Sequence, residues 1–542
     1  MNKIILLLVL LAFTKTFAQT ISVSENVVKT DSILESYCNS QEPGMSIGIV
    51  HNGKIIYQNS IGVANLSNKY AATDSTAFNI ASVSKQFTAL LALKAEEEGK
   101  LSLQDDITLY LPELESLPHK ITIEQLANHT HGLPNYSDLI EMIGFGLTTP
   151  ISNEQAVKTM LSTEQVNFEA GTQYQYGNSG FMLLAEILKR IYQKPFPLVI
   201  KEKIFEPLNM TQTSVIDNPN TIVSNKAIAY AKNESTYIEH PNRQMECGSS
   251  NIHTTLTDLI KWVINFQNPK VGTQNQINRL ITKTVSLSKK SDLSYGLGLF
   301  TETYNGLKTV FHGGGTGGYR AYILHVPVHN FSIVTLGNQE SFDGLLIVQD
   351  LLELYLKDYL VEPLHTKKSY TEEELRNFEG VYKVHPGQYW TIESDGKNLY
   401  CNGDSKPLPL IGDEKFKWFY RPTSYLTFYP NSMDWRIADF NYHCEKVNLN
   451  PPILSKKELE KYVGVYKNEE FNTFYELLII ENNLLARHLT NGDIALYPLS
   501  ENSFYAAYPL GELDFQINLK GNINGFVLSG QNIDNIKFIK LK

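Results

Sequence analysis

Three short stretches carry residue types that together suit acyl transfer. In "NIASVSKQFTALLALKAEEEGKL" Ser82 and Lys85 stand three apart, a spacing that sets both side chains on one helical face, about a turn apart. A serine in a first helical turn has its backbone N–H pointing out of the helix at the positive dipole end. Ser82 would then supply both a nucleophile and an oxyanion donor. The same position, partly buried, disfavours a charged Lys85, and a neutral lysine can take the serine proton. The S-x-x-K pattern is short, and Ser286 with Lys289 also fits it. That copy sits in a polar run with no apolar helix behind it. Ser82 instead leads into Phe87, Leu90, Leu91 and Leu93, with Gly99 as the stop. Alone, S-x-x-K leaves a catalytic pair and an ordinary helix start both open.

The second stretch, "FEAGTQYQYGNSGFMLLAEIL", presents Tyr176 and Asn178 in a glycine-rich loop before an amphipathic helix. A phenol beside Ser82 and Lys85 could relay a proton, and the Asn178 amide could orient Lys85 or a substrate carbonyl. The third, "FHGGGTGGY", places His312, Gly313, Gly314 and Gly315 at a strand edge. Glycines there let the backbone approach an acyl group closely, and a backbone N–H from this strand would complete the donor pair that acyl transfer requires. His312 could hydrogen-bond the tyrosine or the substrate. A rival nucleophile, Ser46 in Gly44-Met45-Ser46-Ile47-Gly48, matches G-x-S-x-G, but a strand rather than a helix follows it. His129 and His131 stand two apart without a third ligand, so they read as structural. No metal or other cofactor is expected.

These residues need a scaffold. Residues 44 to 65 alternate apolar and polar around Asn52-Gly53, a hairpin signal. Residues 82 to 265 read mainly as helices, 307 to 338 as three strands, and 345 to 356 as a final helix. This pattern predicts an α/β (α+β) domain in which one central antiparallel sheet joins both ends of the region and carries a helical layer. Farther on, "ELRNFEGVYK" (374–383) returns as "ELEKYVGVYK" (458–467), each copy followed by short alternating runs and turn residues. That repeat predicts two small all-β barrels holding packed side chains rather than a wide lumen. The expected division is a leader at 1–18, a catalytic domain at 25–362, and barrels at 370–450 and 454–542.

The leader reading rests on Lys3 ahead of an apolar run from Ile4 to Phe13, too short to span a bilayer, with Ala18 before a cleavage site. It predicts an exported protein, periplasmic or secreted, with no membrane span. A net charge of -10 without a basic cluster argues against nucleic acid as a partner. Cys38, Cys247, Cys401 and Cys444 are too sparse for a disulfide framework; Cys401 and Cys444 could pair, or all four could be buried separately.

In order, Ser82-x-x-Lys85, Tyr176-x-Asn178 and His312-Gly313-Gly314 resemble the three motifs of the penicillin-recognising serine hydrolases. The Tyr-x-Asn and His-x-Gly forms are similar to the class C β-lactamase branch, with its D-aminopeptidase, D-Ala-D-Ala carboxypeptidase and esterase relatives. "LANHTHGLPNY" and "YGLGLF" resemble further segments of that family. The resemblance covers about residues 25 to 360, and the C-terminal repeats resemble the lipocalin-like barrels appended to D-aminopeptidase-like members.

The resemblance implies a Ser82 acyl-enzyme, proton transfer by Lys85 and Tyr176, and oxyanion binding by the N–H groups of Ser82 and Gly315, with Asn178, His312 and Gly314 at the substrate. The expected function is an exported hydrolase of an amide or ester, such as a D-amino-acid peptide or cell-wall-related ester. The expected partner is a small-molecule or peptide substrate, cell-wall material included. A class C-like β-lactamase is the alternative enzyme, and a penicillin-binding-like sensor module with partner-binding barrels is the non-enzyme alternative. Gly177 stands where serine is common, which would loosen the Tyr176 loop. His131 also replaces a serine. A histidine in the third motif removes a permanent positive charge and weakens the case for a bound substrate carboxylate.

Overall fold

The computed structural model describes residues 23–282, 285–287, 292–361, 369–412, 414–418, 423–437 and 439–541. The expected leader and Lys289 lie outside the described residues. Asn52 and Gly53 both adopt positive φ, 51° and 73°, as a two-residue turn of the I′ kind needs. They join β1 (Met45–His51) to β2 (Lys54–Ile61). Six further strands complete the sheet: β3 (Val285–Ser286), β4 (Ser294–Tyr295), β5 (Phe300–Tyr304), β6 (Leu307–Thr316), β7 (Tyr319–Val326) and β8 (Phe331–Gly337). The order is β3-β4-β5-β6-β7-β8-β1-β2. The pairing is antiparallel, and Met45 of β1 faces Gly337 of β8, so the two ends of the region meet in mid-sheet.

Both faces of this sheet are covered, which is why β1, β7 and β8 read as nearly unbroken apolar runs. Ile47, Ile49 and Ile333 pack with α1 (Val23–Tyr37) and α5 (Gly344–Tyr355). Val334 and Leu336 face the opposite core, which holds α2 (Lys85–Glu97), α3 (Ser179–Tyr192) and α4 (Leu256–Gln267). Helix α2 is buried around most of its circumference, and Phe87 stacks on Trp262 of α4 with centroids 3.9 Å apart. A helix so enclosed holds its first turn firmly, and that turn carries Ser82.

The sequence repeat is a structural repeat. In each copy a capping box, Thr371 with Glu374 and Ser455 with Glu458, starts a short helix. A tyrosine then returns its hydroxyl to the carbonyl four residues back, Tyr382 to Phe378 and Tyr466 to Tyr462. The second copy closes into an eight-stranded barrel between Gly464 and Lys540. Tyr462, Tyr466, Phe515, Phe526 and Phe538 fill its interior, neighbouring rings lying 4.6 to 5.5 Å apart.

The first copy departs from the predicted barrel. Its eight strands, between Gly380 and Val447, form an open sheet whose edges are Leu399–Cys401 and Leu410–Gly412. Pro407 and Pro409 lie between those edges and have no N–H to offer a ladder. Only Leu408 between them donates across, to the Leu399 carbonyl at 2.8 Å. The four cysteines are buried separately as free thiols.

Candidate active site

Ser82 lies in a 3₁₀ turn, Ala81–Ser84, and Lys85 is the first residue of α2. The turn is wound tightly by its predecessor: Ala81 has φ 45°, a conformation that costs a non-glycine residue about 1 kcal/mol or more. It is held there because Asn79 Oδ1 accepts the Ala81 N–H at 2.8 Å and the Ile252 carbonyl accepts the Ile80 N–H at 2.9 Å. Ser82 lines the large cavity described below, while Lys85 is fully buried beneath it.

Lys85 Nζ lies 3.0 Å from Ser82 Oγ, 2.8 Å from Asn178 Oδ1 and 3.1 Å from the Ser249 carbonyl. All three partners are uncharged. Burial lowers the lysine pKa to about 7, against a smaller opposing pull from Glu246. Near neutral pH a large fraction of Lys85 is the free amine, able to accept the Ser82 proton. Glu246 itself is buried, lines the cavity, and is pushed up to about 7 by burial.

Strand β6 faces the Ser82 turn. A Cβ at Gly314 would meet the Ile80 carbonyl oxygen at 2.2 Å and lie 3.3 Å from Ser82 N, so only glycine fits there. The Gly313 N–H points out of the sheet to Asp439 at 2.8 Å. A strand's two-residue period sends the Gly315 N–H to the same side. The Ser82 turn thus lies against the free edge of β6 at Gly314.

Tyr176 lies beside Lys85, its ring centroid 5.0 Å from Nζ. Its hydroxyl is buried without a partner at full hydrogen-bonding distance, although Ser82 is near enough to favour the phenolate. Burial prevails and holds the phenol well above its usual pKa. Asn178 is set by Asn135: the Asn178 N–H donates to Asn135 Oδ1 at 2.8 Å, and Asn135 Nδ2 donates to the buried Asp138 carboxylate at 2.6 Å. Asp138 also receives Asn532 Nδ2 from the closed barrel at 2.9 Å. A chain of contacts therefore runs from the second barrel to Lys85.

The cavity measures about 1260 Å³ and is walled by all three parts of the chain. From the open barrel sheet, the turn between Ser432–Ile437 and Phe440–Val447 enters it. There Asp439 binds Gly313 N–H and the Tyr322 hydroxyl, the latter at 2.6 Å, and Phe440 packs on Tyr176 with centroids 4.9 Å apart. Burial raises the Asp439 pKa to about 6. From the closed barrel come Tyr508, Gln531 and Asn532. Among the described residues, six carboxyl groups, on Asp138, Glu141, Glu246, Glu340, Asp343 and Asp439, line this space against one guanidinium, that of Arg320. Among the described residues no group of three His, Cys, Asp or Glu side chains forms a metal site.

Residues 27–354, more than half of the chain, match the family model described as Beta-lactamase. The chain belongs to the beta-lactamase family. Protein flp of Staphylococcus aureus (strain MRSA252) is 29% identical over 308 residues, 55% of this chain and 60% of that protein. The D-aminopeptidase of Brucella anthropi is 28% identical over 301 residues, 55% of this chain and 56% of its own length. The chain thus spans less than two thirds of these curated relatives. Among solved structures, the octameric penicillin-binding protein homologue from Pyrococcus abyssi has a TM-score of 0.56 at 19% identity, covering 95% of this chain and 100% of that one. A D-stereospecific amidohydrolase from Streptomyces sp. has a TM-score of 0.51 at 20% identity, covering 60% and 97%. At such identities the likeness is one of fold.

Against the beta-lactamase family motifs, this chain's departures acquire physical reasons. A Cβ at Gly177 would stand 2.9 Å from Asn135 Oδ1, so Asn135 occupies the space of the missing serine side chain and packs the loop instead of leaving it loose. His131 is buried with Nδ1 accepting the Leu133 N–H at 2.9 Å, and burial lowers its pKa to about 4. His129 is buried under the Tyr176 ring, centroids 4.4 Å apart.

The expected hydrogen bond of His312 to Tyr176 or substrate is corrected: its ring lies 6.1 Å from that of Tyr176, but its nitrogens are engaged elsewhere. His312 is 1% exposed and does not line the cavity. Its Nδ1 lies 2.6 Å from the Gly313 carbonyl, its Nε2 3.4 Å from the Tyr295 hydroxyl, and Phe300 packs on its ring at 5.1 Å. Burial lowers its pKa to about 3, so it is neutral. Ser46, the rival nucleophile, is a buried β1 residue whose Oγ lies 2.8 Å from Ser60 Oγ. Sequence reasoning missed Asn135, Asp138, Glu246, Asp439, Phe440 and Asn532. The first two lie within or beside the quoted "LANHTHGLPNY" loop; the others join the site only through tertiary contacts.

Proposed function

We propose that this protein is an exported serine hydrolase that cleaves an amide or ester through a Ser82 acyl-enzyme. The observation that carries this reading is a fully buried lysine, with no carboxylate hydrogen-bonded to it, 3.0 Å from the serine oxygen. The two phenol and amine pKa directions divide the labour. Lys85, lowered toward neutrality, is the base that takes the Ser82 proton as Oγ attacks the carbonyl. Tyr176, raised and therefore protonated, is the acid beside the leaving group. It gives its proton to the departing oxygen or nitrogen and is recharged from Lys85. The Ser82 and Gly315 N–H groups hold the oxyanion, and water then repeats the sequence on the acyl ester.

A cavity lined by six carboxyl groups and one guanidinium favours substrates carrying a cationic amine or no charge. That supports a D-amino-acid amide or peptide with a free amino group, or a neutral ester, over an anionic penicillin. The D-aminopeptidase and D-stereospecific amidohydrolase relatives support the same direction. Export rests on the apolar leader alone.

Intact-protein mass spectrometry after exposure to a fluorophosphonate, and separately to a penicillin, tests the reading on wild type and Ser82→Ala. A fluorophosphonate adduct present in wild type and lost in Ser82→Ala is expected. Rapid acylation and recovery with penicillin would move the assignment to β-lactamase. A lasting penicillin adduct without turnover would favour a binding module, and no Ser82 adduct from either reagent would end the hydrolase reading.

A further inference from the structure

A second cavity, of about 640 Å³, lies between the open sheet and the closed barrel. It adjoins the catalytic cavity: His385, Pro386, Phe440, Tyr442, Tyr508 and Gln531 line both. Its chemistry is different. Among the described residues no Asp, Glu, Lys or Arg lines it, whereas six carboxyl groups line its neighbour. Its walls are Trp435, Ile437, Ala507, Leu510 and the shared aromatic rings, with the uncharged amides of Gln388 and Gln531 and the His385 ring among them. Trp435 is braced by Tyr442, stacked at 5.2 Å, and by Trp390 at 4.6 Å, and Trp390 in turn stacks on Trp418 at 4.4 Å. A braced aromatic wall without charge is suited to an apolar chain or ring and rejects an ion.

The side of the scissile bond it serves follows from Phe440, which lines the chamber and packs on Tyr176 at 4.9 Å. Tyr176 is the acid for the departing group, so whatever extends past Phe440 is attached to the leaving side. We propose that the inter-barrel chamber is a leaving-group subsite that receives an uncharged aliphatic or aromatic portion of the alcohol or amine released from Ser82. This rests on the Ser82 hydrolase reading and adds the substrate feature that both C-terminal domains select.

Acetate esters of ethanol, butanol, hexanol and 2-phenylethanol would be compared by product chromatography. The expected result is a rise in kcat/KM along the alkyl series, about fourfold per methylene at full burial. Ala507→Trp, which fills the chamber from its exposed wall, flattens the series while ethyl acetate hydrolysis and Ser82 phosphonylation stay at wild-type rates. A flat series in wild type, or equal losses on all esters in Ala507→Trp, would overturn the proposal. The uncharged dye N-phenyl-1-naphthylamine gives a readout without catalysis: its fluorescence rises with wild type and not with Ala507→Trp. If Ser82 proves unreactive yet the dye response behaves so, the apolar chamber stands and the hydrolase reading falls; if the dye response is the same in both proteins, the chamber proposal falls.

Discussion

Asp439 accepts the backbone N–H of Gly313 at 2.8 Å, one residue before Gly314, which packs against the Ser82 turn. A residue more than 120 positions away in sequence therefore fixes the free edge of the strand that faces Ser82. Removing it leaves two buried donors, Gly313 N–H and the Tyr322 hydroxyl, without an acceptor, at about 1–3 kcal/mol each. Asp439→Ala is expected to slow fluorophosphonate labelling of Ser82 at least tenfold and to lower Tm. An unchanged labelling rate would show that β6 holds its edge without the open sheet.

Because Lys85 must be neutral to act, kcat/KM should rise with pH along an acid limb centred near 7. The charged group that acts on it is Glu246, which raises its pKa against the effect of burial; Lys85 in turn lowers the pKa of the neutral rings His129 and His312. Glu246→Gln removes the negative charge, so the free amine forms at lower pH. The limb is expected to move down by up to about one unit, without loss of the plateau. A limb that stays in place would remove Glu246 from the electrostatics of Lys85.

Gly177→Ser brings a Cβ to within 2.9 Å of Asn135 Oδ1. It should displace the acceptor of the Asn178 N–H and lower kcat by roughly tenfold, the effect of a bond worth ~1.4 kcal/mol. Combined with Asn135→Ala, the loss should be smaller than the sum of the single losses by about 1 kcal/mol, because both residues compete for one space. Strict additivity in a double-mutant cycle would refute that competition.

Asn532→Ala removes one of the closed barrel's two hydrogen bonds to Asp138, the other coming from Tyr508, while leaving every motif residue intact. We expect kcat to fall about five- to tenfold through Asn135 and Asn178, with KM little changed. Asn535→Gly, which removes an exposed amide bond to the Val166 carbonyl from the same loop and suits the positive φ of 64° there, is the control and should be nearly silent. Equal effects from the two variants would reduce the loop to simple docking.

Much of the scaffold was legible because its signals are local. Asn52-Gly53 specifies its own turn, the apolar runs of β1, β7 and β8 report two covered faces, and the repeated "GVYK" carries the same tyrosine return in both copies. Ser82, Tyr176, Asn178 and Gly314 line one cavity with Lys85 buried beneath, so the spacing of the three motifs did bring these residues together. His312 was misread because a strand residue's side is set by what its partners bury, and Phe300 and Tyr295 claim its ring. The open sheet differs from a barrel through two prolines whose effect depends on which strands would have to meet. Asp439 and Asn532 carry no local mark of function. Their meaning exists only where a distant hairpin and loop reach the groove.

That dependence sets a timetable for a newly made chain. Ser82 leaves the ribosome long before Asn532, and at 5–20 residues per second the interval is roughly 20–90 s. Throughout it the nucleophile lacks the far walls of its groove and the contact that steadies Asn178. A nascent polypeptide, or one ended early by a nonsense codon in the last barrel, would keep every motif residue and still be catalytically immature. Competence would wait for the hairpin that carries Asn532, which would act as a check that this barrel has been made and folded.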